Sequence, residues 1–121
     1  MPVDAVTRKT VQIARALSYP VRLMILDQLR GDGAYVMHLT TVLQRPQANT
    51  SQHLMVLREA GLVVAEREGM TVVYRIKDKR VPEIIDALKN LAADDTAEQI
   101  QFRSFTEHKT CPCPRCQRRK H

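Results

Sequence analysis

The residues with the strongest chemical character stand together near the end of the chain. Cys111-Pro112-Cys113-Pro114-Arg115-Cys116 holds every cysteine of the 121 residues. Each proline fixes its own φ near about −65° and turns the residue before it away from helical geometry. In extended chain, side chains two apart point the same way. Cys111 and Cys113 are therefore placed to face one ion, and a short turn through Arg115 brings Cys116 round as a third sulfur. Lys109, Arg115, Arg118 and Arg119 surround these thiols with positive charge, which favours the thiolate, the form that binds metal. Three thiolates with no evident fourth ligand suit a trigonal, thiophilic ion such as As(III) or Sb(III). Zinc would want a fourth donor, for which His108, His121 or a group on a second subunit is available. Two other readings use the same residues. Cys113 and Cys116 form a CxxC that a disulfide or polysulfide bridge would convert into a redox switch. The plain alternative is a basic tail whose thiols bind nothing specific.

The elements that must position these residues follow from the periodicity upstream. Val3, Val6, Thr10, Ile13 and Leu17 recur at three and four, the stripe of an amphipathic helix. Pro20 suits the first position of a second helix, whose buried side is expected from Val21, Met24, Ile25 and Leu29 and whose end is Gly31-Asp32-Gly33. A short third helix carries Val36, Leu39, Val42 and Leu43 and stops at Gln44-Arg45-Pro46. The pattern resumes at Thr50, Leu54 and Leu57 and closes on Ala60-Gly61, where glycine accepts a left-handed cap. Two helices across so short a turn make a helix-turn-helix. Residues 62–67 and 71–76 are then rich in β-branched side chains and alternate in polarity, with Glu68-Gly69 as the turn of a hairpin. Pro82 opens a last helix with Ile84, Leu88 and Leu91 on one face; Thr96-Ala97-Glu98-Gln99 either restarts or continues it. The fold class is mainly α with a small β-hairpin. Residues 1–102 form its body and residues 103–121 a basic, cysteine-rich tail.

Ser51-Gln52-His53-Leu54-Met55-Val56-Leu57-Arg58-Glu59-Ala60-Gly61-Leu62-Val63 resembles the recognition-helix signature of the ArsR/SmtB family of metal-responsive repressors. Leu17-Ser18-Tyr19-Pro20-Val21-Arg22-Leu23 is similar to that family's junction of helices 1 and 2, and Glu68-Gly69 with Val72-Val73-Tyr74 to its wing. Three matches in the expected order cover roughly residues 10–90. The resemblance implies a winged helix-turn-helix, a homodimer through the first and last helices, and operator DNA released by an inducer, with arsenite leading. Two positions depart from the family pattern. Met70 stands at the wing tip where a basic residue is common, and Thr50 replaces a usually apolar residue. The third helix, Tyr35-Val36-Met37-His38-Leu39, holds no cysteine pair, and the last long helix holds no histidine for the family's zinc-type interface site. The tail is therefore where an ion is expected.

At 100° per residue, Thr50, Leu54 and Leu57 mark the buried side of the recognition helix, and Ala48, Ser51, Gln52 and Met55 face the other way. The N-terminal part of such a helix reads base edges in the major groove. Gln52 matches adenine N6 and N7, Ser51 serves a base or a phosphate, and Gln47 and Asn49 come next. Arg45, Arg58, Arg67 and Arg75 are phosphate candidates, which position without specifying. His53 falls beside the buried stripe, as a hydrogen-bonded histidine at the core edge rather than a base reader. Twofold protein symmetry predicts an imperfect inverted repeat as the double-stranded operator.

Charge permits this partner without demanding it. The formal net charge is +6, yet six of the 19 basic and one of the 13 acidic residues lie in 103–121. With 4% aromatic residues a base-stacking single-strand platform is poor. Apolar runs reach four residues, as at 34–37 and 62–65, far short of a membrane span. The N-terminus carries Arg8 and Lys9 where a signal peptide would need its apolar core. An odd cysteine count confined to a tail is no disulfide framework, so a cytoplasmic setting is expected. No phosphate loop, HExxH or nucleophile elbow appears, and the CxxC lies outside any βαβ unit, so a thiol-disulfide oxidoreductase fares badly and no enzyme is expected. A module that mediates protein contacts alone is the third class.

Overall fold

Five helices and a three-stranded antiparallel sheet make up the computed structural model, which describes residues 2–95, 112–114 and 116. Asp4 starts α1 (Ala5–Ala16): its carboxylate accepts the Thr7 amide at 2.6 Å, and this bond holds its pKa below the ordinary value. Pro20 occupies the first turn of α2 (Pro20–Gln28). The buried side of α2 is Val21, Ile25, Leu26 and Gln28; Met24 points outward instead of inward, because the core lies along the Val21–Ile25–Gln28 line.

A strand not foreseen in the sequence follows. β1 (Ala34–Tyr35) pairs with β3 (Thr71–Ile76), which pairs in turn with β2 (Val63–Glu68), in the order β1-β3-β2. Gly33 makes this possible. Its φ is +77°, and a Cβ there would stand 2.3 Å from the Tyr74 carbonyl oxygen, so only glycine lets the chain enter the sheet edge. The β2–β3 turn falls on Gly69 and Met70, one residue later than expected, because Glu68 still pairs with Thr71.

The helix-turn-helix is α3 (Val36–Leu43) and α4 (Gln47–Glu59). Gln44 ends α3 in the left-handed region (φ 54°) and Pro46 starts α4 at the prescribed stop. Thr50, Leu54 and Leu57 are the buried residues of α4. The last helix, α5 (Arg80–Asp95), begins two residues before Pro82, because the Asp78 carboxylate accepts the Arg80 amide at 2.8 Å and its carbonyl the Val81 amide. Bonds to the Arg80 side chain and amide lower the Asp78 pKa to about 2.

Ile25, Leu26 and Leu29 meet Leu39, Leu54, Leu57, Leu62, Val81 and Ile85 in one core. Polar links tie α2 and the turn after it to α5: Arg30 Nη2 donates to Asp86 Oδ1 at 2.6 Å, and Lys89 pairs with Asp27 of α2. The Arg30 bond holds the Asp86 carboxyl below its ordinary value. Opposite the core side, Ile84, Leu88 and Leu91 of α5 stay exposed, Leu91 to 66%, and Val6 of α1 to 75%.

Candidate metal centre and DNA-facing helix

Two of the tail cysteines converge on a residue of the helix-turn-helix. Cys113 Sγ and Cys116 Sγ each lie 3.4 Å from His38 Nδ1 in α3, across 75 and 78 residues of sequence. All three residues are buried, the cysteines at 0% and 1% exposure, and neither cysteine is in a disulfide. Their donor atoms lie within 4.8 Å of one another. Zinc–sulfur and zinc–nitrogen bonds at the tetrahedral angle put sulfur and nitrogen about 3.6 Å apart. The observed spacing fits one ion between them, and it equally serves thiol–imidazole hydrogen bonds in the protein alone.

The backbone explains how the sulfurs share a side. Cys113 directly precedes Pro114, and Pro114 and Cys116 have helical backbone, so Cys113 and Cys116 come together at a spacing of three. Beneath the sulfurs lie Tyr35 and Val73, which are cross-strand partners of β1 and β3. Behind the ring, Gln28 Oε1 of α2 faces His38 Nε2 at 3.1 Å. With a carbonyl oxygen there, Nε2 carries the ring proton and the Nδ1 lone pair is left for the cysteine side.

Cys111, His108 and His121 fall outside the described residues. The ligand set expected from the sequence lay in the tail alone; the structure places His38 of α3 beside Cys113 and Cys116, a residue that set did not include. The missed signal was the histidine itself, at a buried position of α3; its distance in sequence from the cysteines hid it.

On α4, Gln47, Gln52, Met55 and Arg58 are exposed; Asn49 is half-buried on the flank, and Ser51, expected on the outward face, is half-buried as well. Arg45 in the turn donates to Asn49 Oδ1 at 3.4 Å, so these two candidates act as a pair. Arg67 is exposed on β2 and Met70 fully exposed at the wing tip. Arg75 is differently placed: its guanidinium bonds the Glu66 carboxylate at 2.9 Å and the Asp32 carbonyl, bracing the wing against the loop before β1. His53 accepts from Arg22 Nε at 3.1 Å, and Arg22 in turn lies 4.1 Å over the Tyr19 ring. Burial first, then Arg22 and Arg45, lowers the His53 pKa.

A helix-turn-helix domain family model matches residues 17–72. The transcriptional repressor SmtB of Mycobacterium tuberculosis is 40% identical over 84 residues, 69% of this chain and 62% of that protein. An uncharacterised helix-turn-helix regulator of Methanocaldococcus jannaschii, MJ1325, is 40% identical over 84 residues and is covered to 94% of its length. Among solved structures, HlyU of Vibrio cholerae superposes with a TM-score of 0.66 at 32% identity, covering 74% of this chain and 97% of that one. The homodimeric winged helix-turn-helix domain Mb0332 of Mycobacterium bovis, described as a possible ArsR-family regulator, gives 0.70 at 26% identity, covering 79% and 92%.

The chain belongs to the ArsR/SmtB family. Its fold is the winged helix-turn-helix expected from the sequence, with α3–α4 as the helix pair and β2–β3 as the wing. The span shared with SmtB ends short of SmtB's full length, at 62% of it.

Proposed function

We propose that this ArsR/SmtB-family chain is a homodimeric transcriptional repressor. It binds an imperfect inverted repeat of duplex DNA and releases it when a thiophilic ion is held by Cys113, Cys116 and His38. The observation that carries this reading is the meeting of two tail sulfurs with a histidine of the helix immediately before the recognition helix. An ion there biases the position of α3, on which the placement of α4 in the groove depends.

Gln52, Ser51, Gln47, Asn49 and Met55 form the proposed base-reading face, and Arg45, Arg58 and Arg67 take phosphates. Arg75 contributes chiefly by bracing the wing. The exposed faces of α1 and α5 form the dimer contact, for which Val6, Leu88 and Leu91 supply apolar area. Residues 1–102 are the DNA-binding and dimerising body and residues 103–121 the sensory tail. Among the described residues no helix is long and apolar enough to cross a membrane. The proposed repressor works on DNA in the cytoplasm and performs no catalysis.

The mixed nitrogen and sulfur donors favour a borderline or soft divalent ion of the zinc and cadmium class. Arsenite or antimonite is the second reading, and it needs Cys111 as its third thiolate. The deciding experiment titrates the reduced protein with Cd(II), Zn(II) and arsenite. Thiolate charge-transfer absorption and occupancy of a duplex selected from a random pool are followed in the same sample. Stoichiometric ion binding with concurrent DNA release is expected. Release by oxidant alone, prevented by reductant, would favour the Cys113–Cys116 redox switch. Undiminished DNA occupancy with every ion and oxidant would overturn the sensing role.

A further inference from the structure

We infer that each subunit closes its ion site in cis, so that the ion latches the C-terminal segment onto the sheet and α3 of its own chain and a dimer carries two separate sites. The inference rests on the ion-sensing reading for its ligand.

The floor of the site and one of its ligands come from a single short stretch. Tyr35 ends β1, and His38 stands in the first turn of α3 three residues on. Tyr35 pairs with Val73 of β3 across the sheet, and these two side chains bury Cys113 and Cys116 in a small cluster separate from the main core. The cysteines are therefore packed as well as close, against apolar surface that the body of the same chain supplies. Both sulfurs reach the same ring nitrogen of His38, Nδ1, at 3.4 Å, on the side of the ring away from Gln28. A site shared between subunits would need the partner's tail to displace this arrangement and rebuild the same burial.

The faces assigned to dimer contact lie on other elements. Val6, Leu88 and Leu91 are on α1 and α5, whereas the cluster sits on β1, β3 and α3, with Gln28 of α2 behind it. Closing the latch fixes a segment 75 residues distant in sequence from His38 against the root of the wing. The two DNA-contacting elements, α4 and the β2–β3 wing, are thereby joined through the ion to one rigid point. The ion's effect on DNA then arises inside each subunit before it reaches the dimer contact.

Mixed dimers test this. Differently tagged copies are co-expressed and isolated by both tags, and Cd(II) binding is read from thiolate absorption against a chelator. One mixed dimer pairs a His38→Ala chain with a Cys113→Ser/Cys116→Ser chain. Closure in cis leaves no intact site, and affinity falls at least tenfold; one site of wild-type affinity per dimer would overturn the inference. The second pairs wild type with a chain carrying all three substitutions, and cis closure predicts one full-affinity ion where a shared site predicts none. Should the wild-type protein prove monomeric, one tight ion per chain supports cis closure directly. Wild-type protein that binds no Cd(II) defeats the ion-sensing reading itself, a result distinct from either mixed-dimer failure.

Discussion

Gln28 Oε1 and His38 Nε2 stand 3.1 Å apart in the interior, and this contact between α2 and α3 selects the ring nitrogen that faces Cys113 and Cys116. In the proposed ion site, His38 as a ligand would need its second nitrogen held by an acceptor, both to fix the tautomer and to fix the ring plane. Gln28 meets that need from a neighbouring helix. Without it the ring gains freedom and either nitrogen carries the proton.

Replacing Gln28 with Leu should therefore weaken Cd(II) binding by roughly 10–100-fold, measured by chelator competition. Gln28→Glu, which keeps a carbonyl-type acceptor at the same reach, should recover most of that affinity. The Leu variant also leaves His38 Nε2 without this partner, at a stability cost of about 1–3 kcal/mol, visible as a lower denaturation midpoint. Equal ion affinity in the wild type and the Leu variant would remove Gln28 from the site.

The recognition helix and the hairpin were legible because their signals are local. Thr50, Leu54 and Leu57 repeat at helical spacing and are buried on α4, and Val72 to Ile76 alternate at strand spacing and form β3, although Val73 rather than Val72 is its buried residue. The strand Ala34–Tyr35 was not legible, since two residues show no period and their partner in β3 lies about 40 residues away in the register Ala34↔Tyr74. Met24 shows the limit of reading a face from spacing alone: it shares the periodicity of Ile25 and Leu29 yet points outward. His38 escaped for the same reason as β1. Its chemistry comes from Cys113 and Cys116, and only the folded chain brings them near.

Gln52 is exposed at the middle of the outward face of α4, where a bidentate contact to adenine is geometrically open. Gln52→Ala should lose about 1–3 kcal/mol of discrimination at one base pair of each half-site, read from competition between duplexes that differ there. Arg67→Ala should instead weaken all duplexes alike and lower the salt slope by about one. A uniform loss for Gln52→Ala would assign it to positioning rather than readout.

Leu88 and Leu91 expose 49% and 66% of their surface on α5, while Val81 and Ile85 of the same helix are buried. A Leu88→Glu/Leu91→Glu variant keeps that inner face, so the subunit should fold while the dimer dissociates. Sedimentation at micromolar concentration is expected to give a monomer with native helical content and sharply weaker DNA binding. A dimer that survives both charges would place the contact elsewhere.

Thr50 is fully buried, and its hydroxyl donates to the Pro46 carbonyl at 3.2 Å, an oxygen that also accepts the Thr50 amide at 3.1 Å. Thr50→Val removes the hydroxyl but leaves Pro46 its backbone partner, so no buried acceptor is orphaned. The change in stability should stay within about 1 kcal/mol, which denaturant titration resolves. A loss beyond twice that would mean that the hydroxyl anchors the start of α4.

His53 accepts from Arg22 Nε at 3.1 Å through Nδ1, which only a ring with a lone pair on that nitrogen can do. Burial, with Arg22 and Arg45 nearby, holds its pKa below the ordinary 6.5. The folded protein therefore takes up this proton less readily than the unfolded chain. The stabilising contribution is complete above the unfolded value and is lost as pH falls through the lower, folded value. His53→Gln keeps an oxygen acceptor for Arg22 and cannot titrate. Denaturation midpoints measured from pH 7.5 down to 5.5 should fall more steeply for the wild type than for this variant, and His38 and the carboxylates, common to both, cancel in the difference. Parallel slopes would show that His53 binds its proton equally in both states and that the Arg22 contact survives protonation. A steeper wild-type slope ties the neutral ring to the junction of α2 and α4, where the recognition helix is seated.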